Sequence, residues 1–200
     1  MVIFDYGEVI TVTPTAADRA VIAGLAGVSG EDEAKFWTSY AAHRNPLDQG
    51  TGGGVRGYWQ AIASDIGADW DEGRLYELWT ADFRGWLSVN PGTIEVIADL
   101  RAGGTRLALL SNAGADYGSV LRHGPLGDYF EAFFVSGELG VIKPDPAIYA
   151  RALAGLGITA REAVFIDNRE GNVRGAEELG ITGHVFTTPD RLRSFLESLG

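Results

Sequence analysis

Residues 1–10 read MVIFDYGEVI and place Asp5 at the end of a short apolar run. Such a run, closed by a glycine, reads as a strand buried on both faces. A carboxylate at the carboxyl end of that strand stands where open α/β sheets bind their ligands. Taken alone, Asp5 is equally a turn or helix-capping aspartate. Three later stretches repeat the arrangement: LLSNA (109–113), IKPDPAIY (142–149) and VFIDNREGN (164–172) each set polar groups at or just beyond a strand-like run. Four such ends converging on one crevice make a site.

Working outward, the chain from residue 92 alternates helical patterns with the strand candidates TRLALLS (105–111), AFFVS (132–136), AVFID (163–167) and GHVF (183–186). That alternation predicts an α/β fold, a doubly wound parallel sheet with right-handed crossovers. Between the first two strands the pattern is helical instead. TAADRAVIAGLAG (15–27) and EDEAKFWTSYAAH (31–43) have helical periodicity, with Thr15 and Ser29 as N-caps. His43 and Arg44 close the second helix before the break NPLDQG (45–50), which runs into the glycine-rich QGTGGG (49–54). VRGYWQAIASDIG (55–67) and DEGRLYELWTADFRGW (71–86) supply two more helices. The expected division is therefore a core of residues 1–13 and 89–200 and a helical insertion of residues 14–88. Trp37, Trp59, Trp70 and Trp79 lie in this insertion and Trp86 near its end, and most read as packing residues.

Composition narrows the function. With 200 residues and 46% hydrophobic content, the chain is long enough for a sizeable core. A net charge of −11 with no Lys/Arg-rich block argues against nucleic acid or an anionic membrane as partner. The absence of cysteine excludes disulfides, thiol catalysis and thiolate metal sites. No apolar stretch reaches transmembrane length. The first strand begins at Val2, too early for a secretory leader, so the expected location is cytoplasmic.

The ordered set Asp5, Ser111 with Asn112, Lys143 and Asp167 resembles the haloacid dehalogenase-like (HAD) hydrolase superfamily over almost the whole chain. The resemblance implies a Rossmann-like core with a small helical cap inserted after the first strand, the cap closing on a substrate and choosing it. It also implies an Asp5 nucleophile that forms a covalent aspartyl intermediate. Mg²⁺ would be held by the Asp5 side chain, the backbone carbonyl of Gly7 and either the uncharged amide oxygen of Asn168 or the Asp167 carboxylate, directly or through a water. Ser111 and Asn112 would bind phosphate, Lys143 would neutralise the Asp5–phosphate assembly, and Asn172 would support the last loop. Each position also has a plain structural explanation: a helix-start carboxylate at Asp167, a Ser-Asn helix cap, a surface lysine, a helix-start Asn172. In the insertion, Arg44 is either a fork-shaped donor to an anionic substrate or a helix C-terminal charge.

The chain departs from the family pattern at two places. Family phosphatases usually carry a second Asp where this chain has Gly7, and a second acidic residue where it has Asn168. That second Asp protonates the leaving group, an assistance worth about 10²–10⁴ in rate. Gly7 cannot supply it, and Glu8 is one position out of register. A Gly there is also the residue a positive φ would require. The expected function is a Mg²⁺-dependent phosphatase of small phosphorylated metabolites, such as anomeric sugar phosphates or acyl phosphates, whose leaving groups need little protonation. A non-catalytic binder of a phosphorylated ligand or partner and a metal-independent 2-haloacid dehalogenase are the alternatives.

Overall fold

In the computed structural model, which describes residues 1–200, Val2–Phe4 (β1) lies at the middle of a five-stranded sheet. The other strands are Leu107–Ser111 (β2), Ala132–Val135 (β3), Val164–Asp167 (β4) and Thr182–Val185 (β5). Their spatial order is β3-β2-β1-β4-β5, and every pairing is parallel. Phe4 stands beside Leu109 on one side and Ile166 on the other, so the chain leaves β1, β2 and β4 at one end of the sheet.

β1, β2 and β4 are mainly apolar runs because both faces of the sheet are covered there, whereas β5, at the edge, reads TGHV. Successive side chains alternate between faces. Val2, Phe4, Leu107, Leu109 and Ile166 belong to one core cluster, and Ile3, Ala108, Leu110 and Phe165 to another.

Six helices fall between β1 and β2, and the first five are Ala16–Ala26 (α1), Glu31–Ala42 (α2), Arg44–Asp48 (α3), Gly54–Ile66 (α4) and Glu72–Gly85 (α5). These five pack around a third core that includes Phe36, Tyr58, Trp59, Ile62 and Leu78. The remaining helices are Pro91–Ala102 (α6), Ala115–His123 (α7), the short Ser136–Leu139 (α8), Pro146–Leu156 (α9), Glu170–Glu177 (α10) and Pro189–Ser198 (α11). α6, α7 and α11 cover one face of the sheet through Val96, Ile97, Leu121 and Leu192. α9 and α10 cover the other through Ile148, Tyr149, Ala152 and Ala176.

Thr15 caps α1 as expected, in a reciprocal capping box with Asp18. Ser29 does not cap α2. Gly30 holds that position without a side-chain bond, and Glu31, Asp32 and Glu33 set negative charge against the helix N-terminus instead. The stretch NPLDQG is not a break either, since most of it forms α3. Pro46 falls in the first turn of that helix, where a missing N–H leaves no intrahelical bond unmade. The segments entering and leaving the five-helix bundle pair antiparallel at Thr11 and Val89. Val12 N–H donates to Ser88 O and Asn90 N–H to Ile10 O, both at 2.8 Å. No helix is long and apolar enough to cross a membrane.

Candidate active site

Asp5 follows β1 directly, and its N–H still completes the sheet by donating to Ile166 O at 2.8 Å. Its carboxylate comes out at the sheet end among β1, β2 and β4, at a cavity of about 400 Å³. Lys143, on the segment before α9, reaches the same point from the other side. Its ammonium lies 2.7 Å from Asp5 Oδ1, 2.7 Å from Asp167 Oδ2 and 2.9 Å from Leu110 O. All three N–H bonds are thereby used. The Lys143 and Asp167 side chains are almost wholly buried, at 1% and 0% exposure. Burial pushes the Asp5 carboxyl up to about 6; Lys143 opposes that rise and the nearby Asp167 charge adds to it.

Asp167 is fully committed to the protein. Its Oδ1 accepts from Arg169 N–H at 2.8 Å, and its Oδ2 accepts from both Lys143 and Asn172 Nδ2, the latter at 2.9 Å. It lies outside the cavity lining, behind Lys143. The sequence offered it as an acidic contact to a metal, directly or through a water; here its oxygens accept from Lys143, Arg169 and Asn172. Asn172 supports this loop as expected, with its own carbonyl accepting from Tyr149 Oη at 2.7 Å.

Ser111 and Asn112 both border the cavity at the end of β2. Ser111 Oγ has no hydrogen-bond partner in the protein. Asn112 is spent elsewhere: its Nδ2 donates to Lys143 O at 2.9 Å and its Oδ1 accepts from Lys143 N–H at 2.7 Å. This amide clamp pins the backbone that carries the lysine. The Asn112 side chain is thus a clamp on Lys143, at a turn whose backbone was expected to cradle phosphate, and the next N–H, of Ala113, is held by Ser136 Oγ at 3.0 Å.

Gly7 does not adopt the positive φ suggested for it; the one non-glycine residue that does is its neighbour Glu8, at φ 61°. The Glu8 carboxylate accepts from Thr13 Oγ1 at 2.7 Å and from Asn168 Nδ2 at 2.9 Å. Glu8 and Asn168 both border the cavity.

The bundle supplies the opposite wall through Arg19, Trp37, Tyr40, Arg44 and Asp48. Arg44 is not a free donor there. Its guanidinium is paired with Asp82 at 3.0 Å and Asp48 at 3.5 Å, both nearly buried, and the Tyr40 hydroxyl bonds the same Asp82. Burial pushes the Asp48 carboxyl up to about 6 against the opposing pull of Arg44. Arg19 packs over the Trp37 ring at 4.1 Å and, like Arg169 on the core side of the cavity, is paired with no carboxylate. No sequence spacing links Arg19, Trp37 and Arg169, so these cavity groups emerge only from the fold.

The fold thus sets a lysine-held aspartate at the end of the central strand of a parallel α/β sheet. A family model for haloacid dehalogenase-like hydrolases matches residues 1–180, and the chain belongs to that family. A phosphoserine phosphatase from Thermus thermophilus is 37% identical over 92 residues, 42% of this chain and 35% of that protein. The (S)-2-haloacid dehalogenase 4A of Burkholderia cepacia is 28% identical over 95 residues, 47% of this chain and 41% of that one. The matched part is thus less than half of either relative's length. Among solved structures, a HAD family enzyme from Bacteroides thetaiotaomicron has the same fold with a TM-score of 0.75 at 21% identity, covering 93% of this chain and 92% of that one.

Proposed function

We infer that this chain is a Mg²⁺-dependent phosphatase that acts on a small phosphorylated metabolite through an aspartyl-phosphate intermediate on Asp5. One observation carries the reading. Asp5 is held by Lys143 through Oδ1 only, which leaves Oδ2 without a protein partner at a cavity lined by 20 residues, of which 7 are hydrophobic. A lining this polar, with two uncommitted arginines, suits a hydrophilic anion better than a haloalkanoate.

The residues present fit a hard cation. Three oxygens on residues that border the cavity accept no hydrogen bond from the protein: Asp5 Oδ2, the Gly7 carbonyl and Asn168 Oδ1. Oxygen donors with one full charge are a set that Mg²⁺ accepts when water and phosphate complete it. Bound there, the cation offsets the repulsion between carboxylate and phosphate.

The remaining chemistry belongs to the chain. The Asp5 carboxylate attacks phosphorus, the phosphorus–oxygen bond to the leaving group breaks with that group departing as its anion, and an acyl phosphate stands on Asp5. Lys143 keeps Asp5 in place and offsets the charge that gathers there. Ser111 Oγ donates to a phosphate oxygen. Water then attacks phosphorus, releases phosphate and restores the Asp5 carboxylate. The five-helix bundle acts as the cap that covers the cavity and selects the substrate.

The dehalogenase reading also has an observation behind it. The charge of Asp167 beside Asp5 is already answered by Lys143, so that pair of carboxylates does not by itself demand a metal. A screen separates the two. Para-nitrophenyl phosphate, acyl phosphates and sugar phosphates are assayed with and without EDTA, beside halide release from 2-chloropropionate. Phosphate release that EDTA abolishes is expected. Release that survives chelation refutes the metal role, and halide release without phosphatase activity refutes the phosphatase.

A further inference from the structure

Glu8 combines three features that no other residue of the chain combines. It is the one non-glycine residue in the left-handed region, it borders the cavity one residue after Gly7, and its carboxylate spans to the loop after β4, 160 positions along the chain. Left-handed backbone disfavours a side chain as long as glutamate and is retained where the surroundings enforce it. Here Thr11 Oγ1 accepts from Glu8 N–H at 3.3 Å, and Thr13 Oγ1 donates to Oε1 at 2.7 Å. The second carboxylate oxygen is thereby aimed at Asn168 Nδ2 at 2.9 Å.

We propose that Glu8 is a positioning residue for the cation site, holding the Asn168 amide so that its oxygen and not its NH₂ group faces the Asp5 end of the cavity. The inference rests on the phosphatase reading above. A carboxylate can only accept, so Glu8 selects the nitrogen of the amide. The oxygen is then the amide atom left without a protein partner. Glu8 also places a negative charge one hydrogen bond behind the neutral Asn168, where the family pattern has an acidic side chain. Outer partners of this kind tune a metal site as strongly as many ligands do. The arrangement explains why positions 8 and 168 are a carboxylate and an amide: two carboxylates at 2.9 Å would share no proton donor.

Calorimetric titration with Mg²⁺ alone, paired with thermal melts in EDTA, tests this. Glu8→Gln should keep the melting temperature within a few degrees while weakening Mg²⁺ about 10–100-fold, the range found for outer-shell partners. Adding Asn168→Asp to Glu8→Gln should restore binding, because the amide introduced at position 8 donates to the new carboxylate. Thr13→Val, which releases the Glu8 carboxylate without touching its backbone, should weaken Mg²⁺ in the same direction and covers the case in which Glu8→Gln does not fold. Glu8→Gln or Thr13→Val protein that binds Mg²⁺ as the parent does overturns the inference and leaves the phosphatase reading standing. Parent protein that binds no Mg²⁺ overturns both.

Discussion

Replacing Lys143 by Met tests whether one ammonium holds the two carboxylates of the site. The substitution keeps most of the aliphatic stem and removes the group that contacts Asp5 and Asp167 at 2.7 Å and Leu110 O at 2.9 Å. Breaking a buried ion pair from one side costs about 3–5 kcal/mol, because the remaining charge stays buried and unpaired. Here the loss is linked to pH. In the parent, the Asp5 carboxyl is raised from 3.8 to about 6, and Lys143 is the leading influence holding it down while Asp167 pushes it up. Without Lys143 it climbs further. A carboxyl whose folded pKa lies above its unfolded value binds more protons when folded, so stability is lost as pH rises through the folded pKa. The shift already present in the parent, about two units, corresponds to about 3 kcal/mol. Urea denaturation in EDTA should therefore show Lys143→Met about 3–5 kcal/mol less stable than the parent near pH 8. The gap should shrink to about 2 kcal/mol or less near pH 5, where Asp5 takes a proton and donates it toward Asp167. A difference that stays constant across that range refutes the idea that Lys143 is what compensates these charges.

Three other changes probe separate parts of the site. Asp5→Asn should abolish turnover, leave the melting temperature at or above that of the parent because a buried charge is removed, and trap no covalent phosphate by mass spectrometry; turnover equal to the parent's would show that the reaction runs elsewhere. Gly7→Asp should fold, since a Cβ at that position meets only Trp86 Cζ3 at 3.7 Å and the backbone is not left-handed. It should raise kcat for alkyl phosphates by up to about 10²–10⁴ and leave para-nitrophenyl phosphate nearly unchanged. An unaltered dependence of rate on leaving-group pKa would mean that the missing carboxylate does not limit this enzyme. Arg44→Met should lower stability by about 3–5 kcal/mol, because it strands Asp48 and Asp82 inside the bundle, with KM little changed; a large rise in KM with an unchanged melt would restore Arg44 to substrate binding.

The strands and the place of Asp5 at a strand end were legible in the sequence because they depend on local pattern. Val2–Phe4 and Leu107–Ser111 are buried on both faces, which writes a continuous apolar run into the chain, and Asp5 interrupts it at the end where ligands bind. Lys143 stood out through its place in an ordered set. What the sequence hid were partnerships across distance. Arg44 has the composition of an anion-binding residue, and only the fold brings Asp82, 38 positions away, to neutralise it. Asn112 has the position of a phosphate ligand, yet its amide matches the peptide group of Lys143 at both ends. The strained turn fell at Glu8 and not at Gly7 because Thr11 holds the Glu8 N–H and Thr13 its carboxylate, and glycine's freedom only marks where such a turn is easy.

The central position of β1 also sets an order of assembly. Val2 pairs with Leu107 and with Val164, so on the ribosome the three residues that anchor the sheet find their first neighbour only after the whole intervening helical segment has emerged. The helices of residues 16–85 enclose their own apolar core and need no part of that sheet to bury it. A chain built this way packs its helical insertion before it can close the strand that precedes it. Asp5 comes before that insertion in the chain, and it acquires Lys143 and the Asp167 loop only after the insertion has been made.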